Sequence, residues 1–169
     1  VVRQTLKQLK DTVLKDIEDK LHAVSRYKVM DNVVFVEFGD VKSEWLLLPL
    51  ETAEDQRRLL SMQLTGAWMS EAIEMDVNLV AGIAGRCGRY PSGDRGTPTW
   101  FGVIADTNMP SEGSDWHKFM TYDTKDWEVF IQPGGLQEDA ENLQHLTQTP
   151  DTKKLPENDP RRLAQGRLY

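Results

Sequence analysis

Leu64-Thr65-Gly66-Ala67-Trp68-Met69-Ser70-Glu71-Ala72 runs apolar for several residues and then stops at a serine and a glutamate. About thirty-five residues on, Trp100–Ala105 does the same, ending in Asp106-Thr107-Asn108-Met109-Pro110. Each stretch reads as a buried strand with a polar cluster at its carboxyl end. A helical pattern lies between them. Strands alternating with helices predict an α/β sheet, parallel in its centre with antiparallel additions. Ligands on such sheets sit at the carboxyl ends of the strands, where Glu71 and Asp106-Thr107-Asn108 fall.

Working outward, Val1-Val2 reads as the end of a strand. Leu6, Leu9, Val13, Leu14, Ile17, Leu21 and Val24 recur at spacings of three and four and predict a helix from about Gln4 to Val24. Val33–Phe38 and Trp45–Leu50 are β-like runs, and Pro49 suits an edge or a strand end. Thr52-Ala53-Glu54-Asp55 is a capping box opening a short helix to about Met62. Asp76 is the expected cap of a helix carrying Val77, Val80, Ile83, Ala84 and Cys87, stopped by Gly88 and Pro91. Pro91–Pro98 reads as a mobile surface loop. Trp127–Ile131 reads as a further strand before Pro133-Gly134-Gly135. Asp159, Pro160 and Gly166 frame a last short helix.

The 169 residues suit one domain, and 39% hydrophobic with 28% charged residues fits a chain able to bury a core. No apolar run approaches the ~20 residues of a bilayer span, so no membrane association is expected. One cysteine, Cys87, excludes an internal disulfide framework and reads as a packing residue. The formal net charge of −7 argues against strong nucleic-acid binding by the chain alone, though it permits a local basic surface. In the Pro91–Pro98 loop, Arg95 and two glycines permit contact with DNA; a plain solvent loop is the simpler reading. His22, His117 and His145 are scattered, and no metal-ligand spacing or G-x-S-x-G elbow occurs.

The strand-end residues carry the chemical reading. In a sheet-based nucleotide hydrolase, a carboxylate placed like Glu71 orients the attacking water, and a polar tip on the next strand senses the γ-phosphate. By pattern alone an ordinary helix-start charge is the simpler explanation of Glu71, and a turn accounts for Asp106-Thr107-Asn108. Arg57, Arg58, Arg86 and Arg89 are candidates for stabilising phosphoryl-transfer charge. Each is also explained as a solvated or helix-end cation. Gly82–Arg89 is not a phosphate loop, because it lacks the Gly-Lys-Ser/Thr ending and follows no strand. No G-x-x-x-x-G-K-[ST] occurs anywhere in the chain.

Five segments, taken in order, resemble the ATPase domain of the large terminase subunit of tailed bacteriophages. They are Val1–Thr5 with Gln8–Thr12, Leu64–Ala72, Gly85–Pro91, Asp106–Pro110, and Gln132–Leu136 leading to Ala140–Leu143. The resemblance implies a P-loop NTPase-like (ASCE type) sheet, mostly parallel and flanked by helices. It implies that Glu71 is the catalytic glutamate of the Walker B motif. Ser70 then stands where that motif usually has aspartate, and offers Mg2+ a contact through water but no direct ligand. Asp106, Thr107 and Asn108 would form the coupling motif. Arg58, with Arg57 second, would act on a neighbouring subunit's ATP, with Arg86 and Arg89 as further phosphate-side candidates.

The same resemblance implies ATP and Mg2+ as substrate and cofactor. It implies double-stranded DNA, a portal protein, a small terminase subunit and further copies in a ring as partners. The place implied is the cytoplasm of an infected bacterial host, at the procapsid portal vertex. Val1 aligns with the strand after the Walker A helix, so residues 1–146 are expected to be a partial ATPase core, incomplete at its N-terminus. Residues 147–169 are then a linker and short helix leading toward a nuclease domain. A chain without Walker A is expected to be inactive alone. The alternative is a non-catalytic, degenerate P-loop-like interaction module, favoured by Ser70 and by the missing loop.

Overall fold

The computed structural model describes residues 1–132. Val1–Asp123 forms one compact unit, and Thr124–Tyr169 forms a second, of which residues 124–132 are described. The boundary expected near residue 146, the Pro133–Leu143 motif residues and the terminal helix lie outside the described residues.

Four strands make a parallel sheet in the order β5-β1-β6-β7: β1 (Val2–Arg3), β5 (Leu48–Pro49), β6 (Gly66–Met69) and β7 (Gly102–Ala105). Val2 pairs with Leu48 on one side and Met69 on the other, and Gly66–Met69 runs in register with Gly102–Ala105. The mostly parallel α/β architecture expected from the sequence is the one found. Pro49, which cannot donate to a ladder, sits in the edge strand.

The antiparallel additions form a separate sheet, β2 (Ser25–Lys28), β3 (Val33–Phe38) and β4 (Val41–Leu46). The run Trp45–Leu50 is not one strand. It divides at Leu47 (1% exposed) between the end of β4 and the start of β5, so one residue carries the chain from sheet to sheet. The expected helix to Val24 ends at Leu21, and Ser25–Lys28 is an edge strand. Its polar residues hide the alternation, and Arg26 lies 5.0 Å over the Phe35 ring, a cation–π contact across the pair.

The first helix begins at a capping box. The Thr5 hydroxyl accepts from the Gln8 amide, and the Gln8 side chain accepts from the Thr5 N–H. It runs as α1 (Leu6–Leu9), a π-helical stretch (Lys10–Leu14) and α2 (Lys15–Leu21). Leu9, Val13, Ile17 and Leu21 are four residues apart. In an α-helix each such step overshoots a full turn by about 40°. The wider i→i+5 turn takes back part of that drift. Leu9, Val13 and Ile17 therefore stay on one face and pack with Val34 and Leu47.

α3 (Ala53–Ser61) opens on the predicted Thr52–Asp55 capping box. α4 (Leu79–Ala84) starts later than expected. Asp76 does not cap it; its Oδ1 accepts from the Asn78 backbone and side chain, folding a local turn ahead of the helix. α4 packs on α3 where Gly82 meets Leu60: a Cβ there would lie 2.7 Å from a Leu60 methyl. α5 (Asp115–Tyr122), capped by Ser114, has no counterpart in the sequence reading. Trp127–Ile131 is not a strand: no described segment forms a ladder with it, and Phe130 and Ile131 are 82% and 73% exposed. β-branched and aromatic composition makes a strand only where a partner exists. Among the described residues no helix is long and apolar enough to cross a membrane.

The Val1 nitrogen is part-buried and donates to the Leu46 carbonyl at 2.7 Å, which ties the residue ahead of β1 to the end of β4.

Candidate functional site

The site is built where β6 and β7 end together. Met69 is fully buried and Ser70 is 5% exposed; the Ser70 amide donates to the Val2 carbonyl and so continues the β1 ladder by one residue. The next residue, Glu71, has φ 50° and ψ 56°, the left-handed region that a glutamate enters only at a cost. That reversal turns the chain into a short 3₁₀ turn, Ala72–Glu74.

Asp106 holds the reversal in place. Its amide donates to the Met69 carbonyl at 3.1 Å, and its carbonyl accepts from the Ala72 amide at 2.9 Å. One carboxylate oxygen accepts from the Glu71 amide at 3.2 Å, and the other from the Trp68 indole N–H. Hydrogen bonds to an ionised carboxylate are stronger than neutral ones, so this is the firmest tie between the two strand ends. The Thr107 hydroxyl accepts from the Ile73 amide at 3.2 Å, which holds the 3₁₀ turn from the same side. Asn108 donates through Nδ2 to the Glu71 carboxylate at 3.3 Å.

The structure thus brings Ser70, Glu71, Asp106, Thr107 and Asn108 together at one carboxyl edge. A carboxylate fixed in an unusual backbone conformation by its neighbours can hold a water in one orientation. Strain of this kind is commonly kept where geometry matters for function.

Two groups of side chains at this edge are not foreshadowed by the sequence reading. Trp68 lies two residues before Ser70 on the same strand, a position that reads as core filling, yet its indole N–H serves Asp106. The second group centres on Glu74, which accepts from Gln8 Nε2 at 3.0 Å and pairs with Arg3 Nε at 3.4 Å. Arg3 also donates to the Thr12 hydroxyl at 2.6 Å. Arg3 ends β1 at the same edge, so this chain of contacts ties the first helix to the Glu71 turn. The sequence signal, Glu71 and Glu74 three apart, is too common to be read alone.

The arginines lie elsewhere. Arg57 and Arg58 are in the latter half of α3, on the far side of its capping box from β5. Arg86 and Arg89 bond through their backbones to Leu64, ahead of β6. Glu71 lies seven residues farther along the chain, about 20 Å at strand rise. The structure does not bring any of the four to the Glu71 edge.

Among the described residues no group of three His, Cys, Asp or Glu side chains could hold a metal. Both Asp106 carboxylate oxygens are already engaged. The donor set here does not fit a Mg2+ held by the protein alone. Cys87 donates weakly to the Ile83 carbonyl, and burial pushes its thiol pKa up, as for a packing residue rather than a nucleophile.

Among solved structures the chain is similar to the large terminase of a thermophilic bacteriophage. One crystal form matches with a TM-score of 0.57 at 16% identity, covering 74% of this chain and 29% of that one. Another, in complex with ADP, matches with a TM-score of 0.56 at 17% identity, covering 90% of this chain and 34% of that one. The chain thus spans about a third of the length of these proteins. At such identity the likeness is one of fold, and it is the fold that the sequence resemblance implied. No family model and no curated protein sequence matches the chain.

Because Glu71 occupies the left-handed region, Glu71→Gly should relieve strain. The gain is reduced by the extra freedom glycine has when unfolded, leaving a stabilisation of up to about 1 kcal/mol. Chemical denaturation checks this. A loss of stability on Glu71→Gly would contradict a strained turn at this position.

Proposed function

We propose that this chain is part of the ATP-hydrolysing motor that drives double-stranded viral DNA into procapsids, the activity of a terminase large subunit. The observation that carries the reading is the Glu71 turn. A carboxylate at the end of a parallel strand is held by the Asp106 backbone and side chain and touched by Asn108 beyond the neighbouring strand. Two features support it: the ordered sequence resemblance across the chain, and the fold likeness to a large terminase that has been seen with ADP.

In this reading ATP is the substrate. Glu71 takes the role of general base, orienting the water that attacks the γ-phosphorus and drawing off its proton. Asn108, bonded to the Glu71 carboxylate, reports phosphate loss to β7, so Asp106, Thr107 and Asn108 act as the coupling element. Ser70, buried beside Glu71, replaces the usual acidic partner. Arg58, or Arg57 beside it, lies away from its own Glu71 and would serve the ATP of the next subunit in a ring. DNA, a portal, a small subunit and a place at the procapsid vertex belong to the same proposal.

The chain contains no G-x-x-x-x-G-K-[ST] to grip phosphates, so by itself it hydrolyses ATP negligibly. The same lack favours the second reading, an interaction module that keeps the sheet without catalysis. A longer product carrying that loop ahead of Val1 separates the two. There Glu71→Gln should lower ATPase kcat at least about a hundredfold, the usual scale for loss of a general base. An unchanged kcat would sink the catalytic assignment and leave the interaction module.

A further inference from the structure

The Glu71 turn is held from two sides. On the β7 side, Asp106 and Thr107 accept from the amides of Glu71, Ala72 and Ile73. On the other side the turn closes on itself. The Glu74 amide donates to the Glu71 carbonyl at 3.0 Å, so the place of Glu74 bears directly on that of Glu71. The Glu74 carboxylate is in turn gripped from the first helix and the end of β1. Its Oε2 accepts from Gln8 Nε2 at 3.0 Å and from Arg3 Nε at 3.4 Å. The Arg3 and Glu74 side chains are 11% and 30% exposed, so water screens this cluster less than a surface pair.

Gln8 is the member whose residue type is most constrained. Its Oε1 accepts from the Thr5 N–H at 3.0 Å and from the Thr5 hydroxyl at 2.8 Å, which closes the capping box. Its Nε2 is left over for Glu74. Its backbone is fixed as well. The Gln8 amide donates to the Thr5 hydroxyl at 3.2 Å, and its carbonyl accepts from the Thr12 hydroxyl at 2.8 Å. A capping box works with glutamate or glutamine at this position. A glutamine has a donor to spare for a second acceptor; an ionised glutamate has none and would set one carboxylate against another. The contact with Glu74, and not the cap, accounts for the amide.

We propose that Gln8 is a positioning residue for Glu71. By holding Glu74 it fixes the far end of the 3₁₀ turn, and Glu71 keeps the orientation in which it directs water. The proposal rests on the hydrolysis reading for what Glu71 does, and on the hydrogen bonds above for what holds it. It makes Glu71 answer to the first helix: when Gln8 parts from Glu74, the turn is held chiefly from the β7 side. Gln8 acts through Glu74 and not on the nucleotide, so its loss falls on kcat and leaves KM for ATP as it was.

The test is Gln8→Glu, which keeps an acceptor for the cap and removes the donor to Glu74. In the 169-residue chain, hydrogen-exchange protection of the Glu74 amide should fall about tenfold. The Leu9 amide, which donates to the Thr5 carbonyl and reports the helix start, should keep its protection within about twofold. In the longer product used for Glu71→Gln, Gln8→Glu should lower kcat about tenfold at unchanged KM, the scale of a misplaced catalytic group. Adding Glu74→Gln exchanges donor and acceptor across the contact and should restore most of both readouts. Lys15→Gln lowers the charge of the same helix equally at an exposed position and should change neither.

Should Leu9 lose protection as well, Glu74→Met decides in place of Gln8→Glu. It removes the acceptor without touching the helix start, and is read at the Met75 amide, which donates to the Ala72 carbonyl. Unchanged protection of the turn overturns the proposal. So does a kcat that Glu71→Gln lowers and Gln8→Glu does not, a rise in KM in place of a fall in kcat, or a double variant no better than the single. A kcat that Glu71→Gln leaves unchanged sinks the hydrolysis reading instead. The exchange experiment, which contains no ATP, then still decides whether Gln8 holds the turn.

Discussion

The carboxylate of Asp106 is the contact on which the rest of the candidate site depends. It receives the Trp68 indole on one oxygen and the Glu71 amide on the other, while its own backbone receives and donates across the ends of β6 and β7. Without it the Glu71 amide would lose the acceptor that holds a glutamate in the left-handed region. The consequence is a division of labour. Asp106, read from the sequence together with Thr107 and Asn108 as one polar tip, is committed to structure by both carboxylate oxygens. Asn108 is the member of that trio that touches the Glu71 side chain.

Much of the fold can be read from residues whose local chemistry admits one answer. Thr52 with Asp55, and Thr5 with Gln8, satisfy helix-end amides wherever they occur, and the structure uses both. Val33–Phe38 is rich in β-branched and aromatic residues, and it finds a ladder on both sides. What escapes is structure decided by partners. Ser25–Lys28 has little β character of its own and becomes a strand because Val33–Val36 offers it a ladder and a ring for Arg26. Trp127–Ile131 has the composition and no described ladder. The π-helical stretch escapes because a spacing of four residues is accepted by either kind of turn until a flat surface must be met.

The site divides along the same line. Glu71 and Asp106-Thr107-Asn108 are legible because each ends an apolar run, so position along a strand tells where they lie. Their mutual hydrogen bonds are not legible, since these need the register Met69↔Ala105. Trp68 is invisible for a different reason: an indole in a buried run is expected to pack, and only the structure shows where its single donor goes. Arg86 and Arg89 group with the phosphate by residue type alone. Their distance from Glu71 follows from α4 running back along the sheet to the start of β6.

Leu47 bears on mechanics. It is the only residue between β4 of the antiparallel sheet and β5 of the parallel one, it is buried, and its amide donates to the Asn32 carbonyl at 2.8 Å. A joint of one residue has two soft torsions, and these are confined by packing on both sides. The antiparallel sheet is therefore coupled as a stiff lever to the strand that lies beside Arg3. A push on its far tip, where Phe38 and Val41 stand in solvent, is delivered along a continuous backbone rather than absorbed by a hinge.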